Sequence, residues 1–443
     1  MQTSYKNILK ISVPIMLGSG VQNLIALTDS VLLYHLSETD FGAIGIVGMF
    51  YLVISAIGYG FSRGGQILIA RRAGEKKYKE VSRAFYDMLY FELLMAVVLF
   101  LFMQYGCPIL FKWFIHSPVI YQKCIDFLSY RSYGVFFSFV GLAMIAFYTG
   151  IAITRIILID TIILALINFV LNYGLIFGHW GLPQMGIAGA GLGSTLAEVV
   201  AFVVFMVYMF FDKNARLYKI LSPQFFHLSF LKSLLRLSLP AVAQGIVGIG
   251  SWFIFFTVIE QLGERPLAIS NLVRIVYLTL SIPCWGFSAA ISTIVSSFIG
   301  MQKRMAVIPM IKKTSLLSFC VTAAISLPTI LFPKIILYPV LGKQDMSLVT
   351  EAQPVFWVLL IILIIFSIGS IVFNGLSGTG EMVSTLNIQT ICAVIYLVAT
   401  YLCVSYFQLG LNWAWGMEAL YWIIITTYSW WFLYSKRWVG NKV

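Results

Sequence analysis

The sequence predicts an all-α integral membrane protein, with twelve transmembrane helices arranged as two six-helix bundles. Three observations support this fold class: an apolar composition, a series of long apolar runs and an internal repeat. Of the 443 residues, 60% are hydrophobic and only 10% are charged. A soluble domain has about a quarter of its residues charged. The composition therefore suits a lipid bilayer better than a single globular core.

Twelve apolar runs follow one another along the chain, each long enough to cross a bilayer as a helix of roughly 20 residues. The runs lie near residues 8–33, 42–70, 84–105, 122–149, 151–178, 187–211, 233–261, 267–298, 310–332, 349–376, 383–407 and 413–434. The longest connection, 212–232, contains the turn signal "SPQ" and is predicted to be a cytoplasmic linker. It separates a predicted N-terminal bundle, residues 1–211, from a C-terminal bundle, residues 233–443.

The distribution of basic residues predicts the orientation in the membrane. Of the 29 Lys and Arg residues, 21 lie in the two termini and in one alternate set of loops, and five lie in the opposite loops. Basic residues accumulate in cytoplasmic loops, so both termini are expected in the cytoplasm and the protein in the inner cell membrane. The formal net charge of +12 therefore reflects topology, and no nucleic-acid partner is predicted.

An internal repeat appears when the sequence is shifted by 226 residues. "LKISVP" (9–14) then lies on "LRLSLP" (235–240), "GFS" (60–62) on "GFS" (286–288), and Tyr51 on Tyr277. Chance similarity among apolar segments is the alternative, but proline, glycine and basic loops all coincide at this one offset. Six helices per half give both halves the same orientation. We expect a pseudo-twofold axis along the membrane normal, as in transporters with a central site between halves.

Polar side chains inside the first and fifth apolar runs are candidate functional residues, because such groups are costly in a bilayer. Gln22 and Asp29 lie seven residues apart, which places them on one face of helix 1. Asp160, Asn168 and Asn172 recur at multiples of four and form a polar stripe along helix 5. The alternatives are a snorkelling position for Asp29 near its helix end, and interhelical hydrogen bonds for the two asparagines.

Three further ionisable residues inside predicted spans are candidates for the site. Glu198 forms a small polar patch with Ser194 and Thr195 on helix 6, and is grouped with the ion-coupling and cavity residues. Arg63 and Arg131 are candidate cavity cations. The alternative for both arginines is snorkelling, since each lies within about two turns of a helix end.

A carboxylate beside amide oxygens suits the coupling of an ion gradient to movement. Its protonation or Na⁺ occupancy can switch as water reaches it from one side or the other. Asp29, Asn168 and Asn172 are therefore the predicted Na⁺ ligands if the coupling ion is sodium, and Asp29 the predicted proton acceptor if it is H⁺. No other cofactor is predicted.

Several segments resemble the multidrug and toxic compound extrusion (MATE) transporters. They are residues 9–36, 60–75 and 130–134, together with "LINFVLNYGLIFGHWGLPQMGIAGAGLGSTLAE" (166–198), which resembles the NorM-type pattern across helices 5 and 6. The resemblance implies two six-helix bundles about a central cavity, and export of organic cations in exchange for Na⁺ or H⁺. It also implies that Asp29 is the family's helix-1 aspartate and that Asn168 and Asn172 are its helix-5 polar pair.

The second half departs from this pattern. NorM-type members have acidic residues in helices 7 and 10, where alignment places Gly248 and Phe366. Coupling through the first half alone is therefore predicted. The expected partners are small organic cations and the lipid bilayer, with the protein as a monomer.

The sequence leaves two alternative functions to consider. A flippase for lipid-linked oligosaccharides, from the same superfamily, is kept open by Arg63 and Arg131. An integral-membrane enzyme is not favoured, because the loops are short and poor in clustered acids and histidines.

Overall fold

A computed structural model describes residues 4–226, 228–334 and 346–440. Over these ranges the regular structure is helical throughout, and a helix covers each of the twelve predicted apolar runs. The first half contains α1 (Tyr5–Leu36), α2 (Glu38–Gly74), α3 (Tyr78–Phe114), α4 (Pro118–Arg131 then Gly134–Gly150), α5 (Arg155–Phe177) and α6 (Ile187–Phe211). The second half contains α7 (Leu228–Glu260), α8 (Glu264–Leu280 then Ile282–Gly300), α9 (Val307–Leu331), α10 (Met346–Gly378), α11 (Met382–Tyr401) and α12 (Leu411–Tyr434). The predicted fold class is confirmed.

Length and hydropathy single out ten helices as spans within the described ranges, or eleven when the two pieces of α4 count as one. The second piece of α8 is among the ten, while its first piece has only 17 residues. Helix α12 is long enough, but its many Trp and Tyr residues lower its mean hydropathy. Amphipathic rings of this kind are enriched where membrane helices meet the interface.

Helix packing divides the chain into two units. The N-unit is Leu17–Val242, and the C-unit is Met1–Met16 with Ala243–Val443. Each boundary falls two residues after a proline inside a helix, Pro14 in α1 and Pro240 in α7. Proline removes a backbone hydrogen bond from a helix and permits a bend there. Helices α1 and α7 therefore each begin in one unit and end in the other, and the sequence division at 212–232 stays a prediction.

Two glycine contacts reproduce the internal repeat in three dimensions. In the N-unit, a Cβ placed on Gly60 would lie 2.7 Å from the Cα of Val242. In the C-unit, a Cβ on Gly286 would overlap the side chain of Met16. Gly60 and Gly286 are repeat mates, as are Met16 and Val242, since each pair is 226 residues apart. The same close helix approach, which needs glycine, is therefore built in both units.

The predicted linker is held against α3 by hydrogen bonds to its backbone carbonyls. Tyr86 Oη donates to the Ile220 carbonyl at 2.5 Å, and Tyr90 Oη to the Gln224 carbonyl at 2.9 Å. Residue 227 of the linker lies outside the described residues. The described part of the linker is therefore packed on the N-unit.

Candidate cation-coupling site

A chain of polar side chains joins three helices of the N-unit. Asn172 of α5 donates through Nδ2 to Asp29 Oδ1 of α1, at 2.7 Å. The same nitrogen lies 3.3 Å from Asn168 Oδ1, and Asn168 Nδ2 donates to Ser194 Oγ of α6 at 3.0 Å. Asn168 and Asn172 are buried and Asp29 is half-buried. We call Asp29, Asn172, Asn168 and Ser194 the polar chain.

The local sequence explains how the polar chain is assembled. A spacing of four places Asn168 and Asn172 one above the other on α5. Gly193 lets α6 approach, because a Cβ at this position would overlap Asn172 Oδ1. Asn172 Oδ1 is buried and accepts no hydrogen bond from the described residues. The polar chain therefore presents one carboxylate and one unused amide oxygen.

These oxygens fit a proton or a weakly held alkali cation. Asp29 and Asn172 can each offer an oxygen, whereas Asn168 Oδ1 already receives the Asn172 amide. Within the described residues no three His, Cys, Asp or Glu side chains cluster as a metal site would require. A coupling ion at this site would therefore be bound by Asp29 first and by the amides second.

The two ionisable residues predicted on helices 4 and 6 form an ion pair. Arg131 donates to both carboxylate oxygens of Glu198, at 2.7 and 2.6 Å, and its guanidinium lies 4.0 Å from the centre of the Tyr51 ring. Arg131 is only 8% exposed. The bidentate geometry fixes both side chains and neutralises the Glu198 charge. Arg131 also interacts electrostatically with Asp29, so the ion pair and the polar chain form one polar region.

The ion pair lies at the break in α4. The first helical piece ends at Arg131, and the second begins at Gly134 with a bend of 53°. Position 134 has room only for glycine, because a Cβ there would overlap the Arg131 guanidinium and the Glu198 carboxylate. The ion pair therefore lies where α4 bends, and the glycine after the break leaves room for both side chains.

The other predicted site residues occupy different positions on α1, α2 and α5. Gln22 is exposed on α1 and bonds Tyr59 of α2 at 3.1 Å. Asp160 is buried near the start of α5, and its Oδ1 has no hydrogen-bond partner among the described residues. Arg63 lies half-buried on α2, directly after Ser62. The spacing on α5 thus places two of its three predicted residues in the polar chain, with Asn172 bonded to Asp29 and Asn168 bonded to Asn172.

Tyr51 is the residue of this polar region that the sequence does not indicate. The repeat pairs it with Tyr277, and nothing in its spacing points to an arginine neighbour. For the ion pair a signal was available, since Arg131 and Glu198 are opposite charges inside apolar helices.

Taken together, the helices, the repeated halves and the buried polar region define a polytopic helical membrane protein of the transporter class. The family model MatE matches residues 14–174 and 240–402, two ranges that begin 226 residues apart. The chain therefore belongs to the MatE family, and the family resemblance of its motifs is confirmed.

Curated relatives and solved structures agree with this assignment. The probable multidrug resistance protein NorM of Thermotoga maritima is 24% identical over 441 residues, covering 99% of this chain and 94% of the relative. The corresponding protein of Bacillus subtilis is 27% identical over 192 residues, covering 43% and 42%.

Among solved structures, an outward-facing multidrug resistance MATE family transporter of the MOP superfamily aligns with a TM-score of 0.90. Its identity is 18%, and the alignment covers 99% of this chain and 97% of that one. A MOP superfamily transporter from Pyrococcus furiosus aligns with a TM-score of 0.87 at 18% identity, with the same coverage. These similarities establish a shared fold.

Proposed function

We propose that the protein is a secondary active multidrug efflux antiporter, which exports organic cations in exchange for Na⁺ or H⁺ by alternating access. The observation that carries the proposal is the hydrogen bond from Asn172 to the half-buried Asp29 carboxylate. The names of the relatives, probable multidrug resistance proteins, support the substrate class.

Asp29 is suited to coupling because the side chain that donates to its carboxylate, Asn172, is a neutral amide. Glu198, by contrast, already has a guanidinium bound to both oxygens. A proton or Na⁺ on Asp29 would change the strength of its hydrogen bond with Asn172. It would therefore change how tightly α1 is held to α5. An ion and a substrate that favour different arrangements of the same helices will exchange with each other.

The flippase alternative requires a cationic site for an anionic lipid-linked sugar. Arg131 is committed to Glu198 and to the Tyr51 ring, so its charge is already compensated. The fold does not decide between the two functions. The Pyrococcus furiosus transporter shares it, yet the reversed polarity of its binding pocket is described as suggesting a different function.

Proteoliposomes containing the full chain and a fluorescent organic cation test the proposal. An imposed Na⁺ or H⁺ gradient should drive efflux, and the gradient that does so identifies the ion. Asp29→Asn should lower the driven rate at least about tenfold. The matched variant Asp126→Asn, which changes a carboxylate that accepts a hydrogen bond from Gln122 on α4, should retain it. Gradient-independent efflux, or full activity of Asp29→Asn, would reject the proposal.

We further propose an inner-membrane monomer with both termini in the cytoplasm. The excess of basic residues in one set of loops supports this orientation. Reporter fusions at each terminus that are active only in the cytoplasm test it.

A further inference from the structure

The C-unit contains a buried carboxylate of its own, Glu418 of α12, which is 4% exposed. Trp422 Nε1 donates to Glu418 Oε1 at 3.1 Å, and Tyr277 Oη of α8 lies 3.5 Å from the same oxygen. The Tyr396 hydroxyl of α11 also hydrogen-bonds Glu418. The Glu418 carboxylate therefore accepts hydrogen bonds from side chains of α8, α11 and α12.

The surroundings of Glu418 are aromatic. The Phe366 ring of α10 packs against the Trp422 ring with centroids 4.6 Å apart, and against the Tyr277 ring at 5.8 Å. Tyr421 packs on Tyr396 at 5.5 Å. Rings of this kind exclude water from the carboxylate and leave its charge to be balanced by N–H and O–H dipoles.

Cations on the neighbouring helices are engaged elsewhere. Arg274 of α8 lies 5.0 Å from the centre of the Phe256 ring of α7. Arg265 of α8 pairs with Glu351 of α10 at the exposed ends of these helices.

The remaining titratable groups facing this region are Tyr277, Cys284, Cys392, Tyr396 and Tyr421. Within the described residues, no salt bridge includes Glu418.

The internal repeat shows why this carboxylate differs from Glu198. Tyr51 and Tyr277 are repeat mates, and each lies in a cluster with a carboxylate from the sixth helix of its half. In the N-unit the cluster includes the Arg131 guanidinium, which neutralises Glu198. In the C-unit the cluster consists of Trp422, Tyr396 and Tyr277, which are all neutral donors.

We propose that Glu418 is a proton-binding site of the C-unit. An ionised carboxylate accepts the three donors, whereas a protonated one needs no counter-charge in an apolar surrounding. Hydrogen bonds to a charged acceptor are roughly twice as strong as those between neutral groups. Proton binding therefore weakens the contacts from Glu418 to α8 and α11 and loosens these helices against α12. This site goes beyond the proposed coupling at Asp29, because it lies in the other unit.

Infrared difference spectroscopy on the full chain in lipid tests the site without any transport measurement. A carboxylic acid C=O band that appears as the pH is lowered is expected in the wild type and absent in Glu418→Gln. Glu418→Asp should keep a band at a shifted frequency. Tyr277→Phe, which removes one donor and keeps the ring, should shift the pH midpoint of the band.

The matched control is Glu351→Gln, the same chemical change at an exposed ion pair of the C-unit, and the band assigned to Glu418 should persist there. The band should also persist in Asp29→Asn, so failure of the antiport proposal and failure of this one are separate results. An unchanged spectrum in Glu418→Gln would overturn the proposal. If Glu418→Gln fails to fold, an unshifted midpoint in Tyr277→Phe would overturn it.

Discussion

Asn172 donates a hydrogen bond to Asp29 although the two residues are 143 positions apart in the chain. The contact connects the two helices, α1 and α5, that supply the polar stripes of the first half. It also leaves Asn172 Oδ1 without a partner among the described residues, next to a half-buried carboxylate. The first two predictions follow from this arrangement.

Replacing Asn172 with alanine should weaken ion binding without removing the carboxylate. We expect Asn172→Ala to raise the coupling-ion concentration needed for half-maximal efflux, with a smaller loss of maximal rate than Asp29→Asn. The physical reason is the loss of one donor and one amide oxygen beside Asp29. Efflux from proteoliposomes measured over a range of ion concentrations checks this. Asn23→Ala is the control, because that exposed amide only bonds the Ser19 carbonyl. An unchanged ion dependence in Asn172→Ala would remove Asn172 from the site.

Adding one methyl group at Gly193 should disturb the polar chain. Gly193→Ala places a Cβ on Asn172 Oδ1, so the amide must move or α6 must shift. We expect a loss of about 1–3 kcal/mol in unfolding free energy, the usual effect of overpacking, and an altered ion dependence. Thermal unfolding in detergent measures the first effect. Gly141→Ala is the control, since its added Cβ meets no atom within 4 Å. Equal stability of the two variants would contradict the packing argument.

Breaking the buried ion pair should be costly. Glu198→Gln leaves Arg131 buried without its counter-charge, and we expect a loss of about 3–5 kcal/mol. Glu351→Gln breaks an ion pair whose side chains are about half exposed, 50% and 48%, and should change stability far less, because solvent already screens both charges. Thermal unfolding of both variants provides the comparison.

Replacing both members of the buried pair, as Arg131→Met with Glu198→Leu, should recover most of the stability, because neither charge is then left buried alone. Comparable losses in the single and double variants would show that the charges are not the source of the effect.

The turn after α2 predicts a pH dependence. Burial acts to raise the pKa of Glu75, but hydrogen bonds and charges from Arg72 and Lys77 outweigh it and hold the pKa below its usual value. A carboxyl with a lower pKa in the folded state stabilises the protein above the unfolded pKa. That contribution is lost as the pH falls through the folded pKa.

Glu75→Gln should therefore lower the unfolding temperature at neutral pH, by an amount corresponding to at most about 1 kcal/mol at this partly exposed turn. The difference from wild type should vanish well below pH 4.5. Thermal unfolding across this pH range checks both statements. A difference that persists in acid would point to a packing effect instead.

Much of the fold could be predicted because bilayer crossing imposes a length and an apolar composition that are visible along the chain. The α5 stripe was visible for a similar reason, since a spacing of four fixes which side chains share a helix face. The Arg131–Glu198 pair was not foreseen, because spacing within one helix does not set its rotation toward another. Glu418 could not be recognised from the sequence, because its donors come from distant helices and are aromatic residues typical of any core.

Helices α1 and α7 carry their first segments in the opposite unit, and this has a consequence for how the polypeptide can be divided. If the chain were severed within the linker, the N-terminal fragment would lack residues 231–242 of its own unit and the C-terminal fragment would lack residues 5–16. Neither fragment would contain all the helical segments that pack together in its unit. The fragments should therefore fold only when they are synthesised together. By the same reasoning, a half-length ancestor with this geometry would have had to form a dimer in which the two copies exchanged their first helical segments.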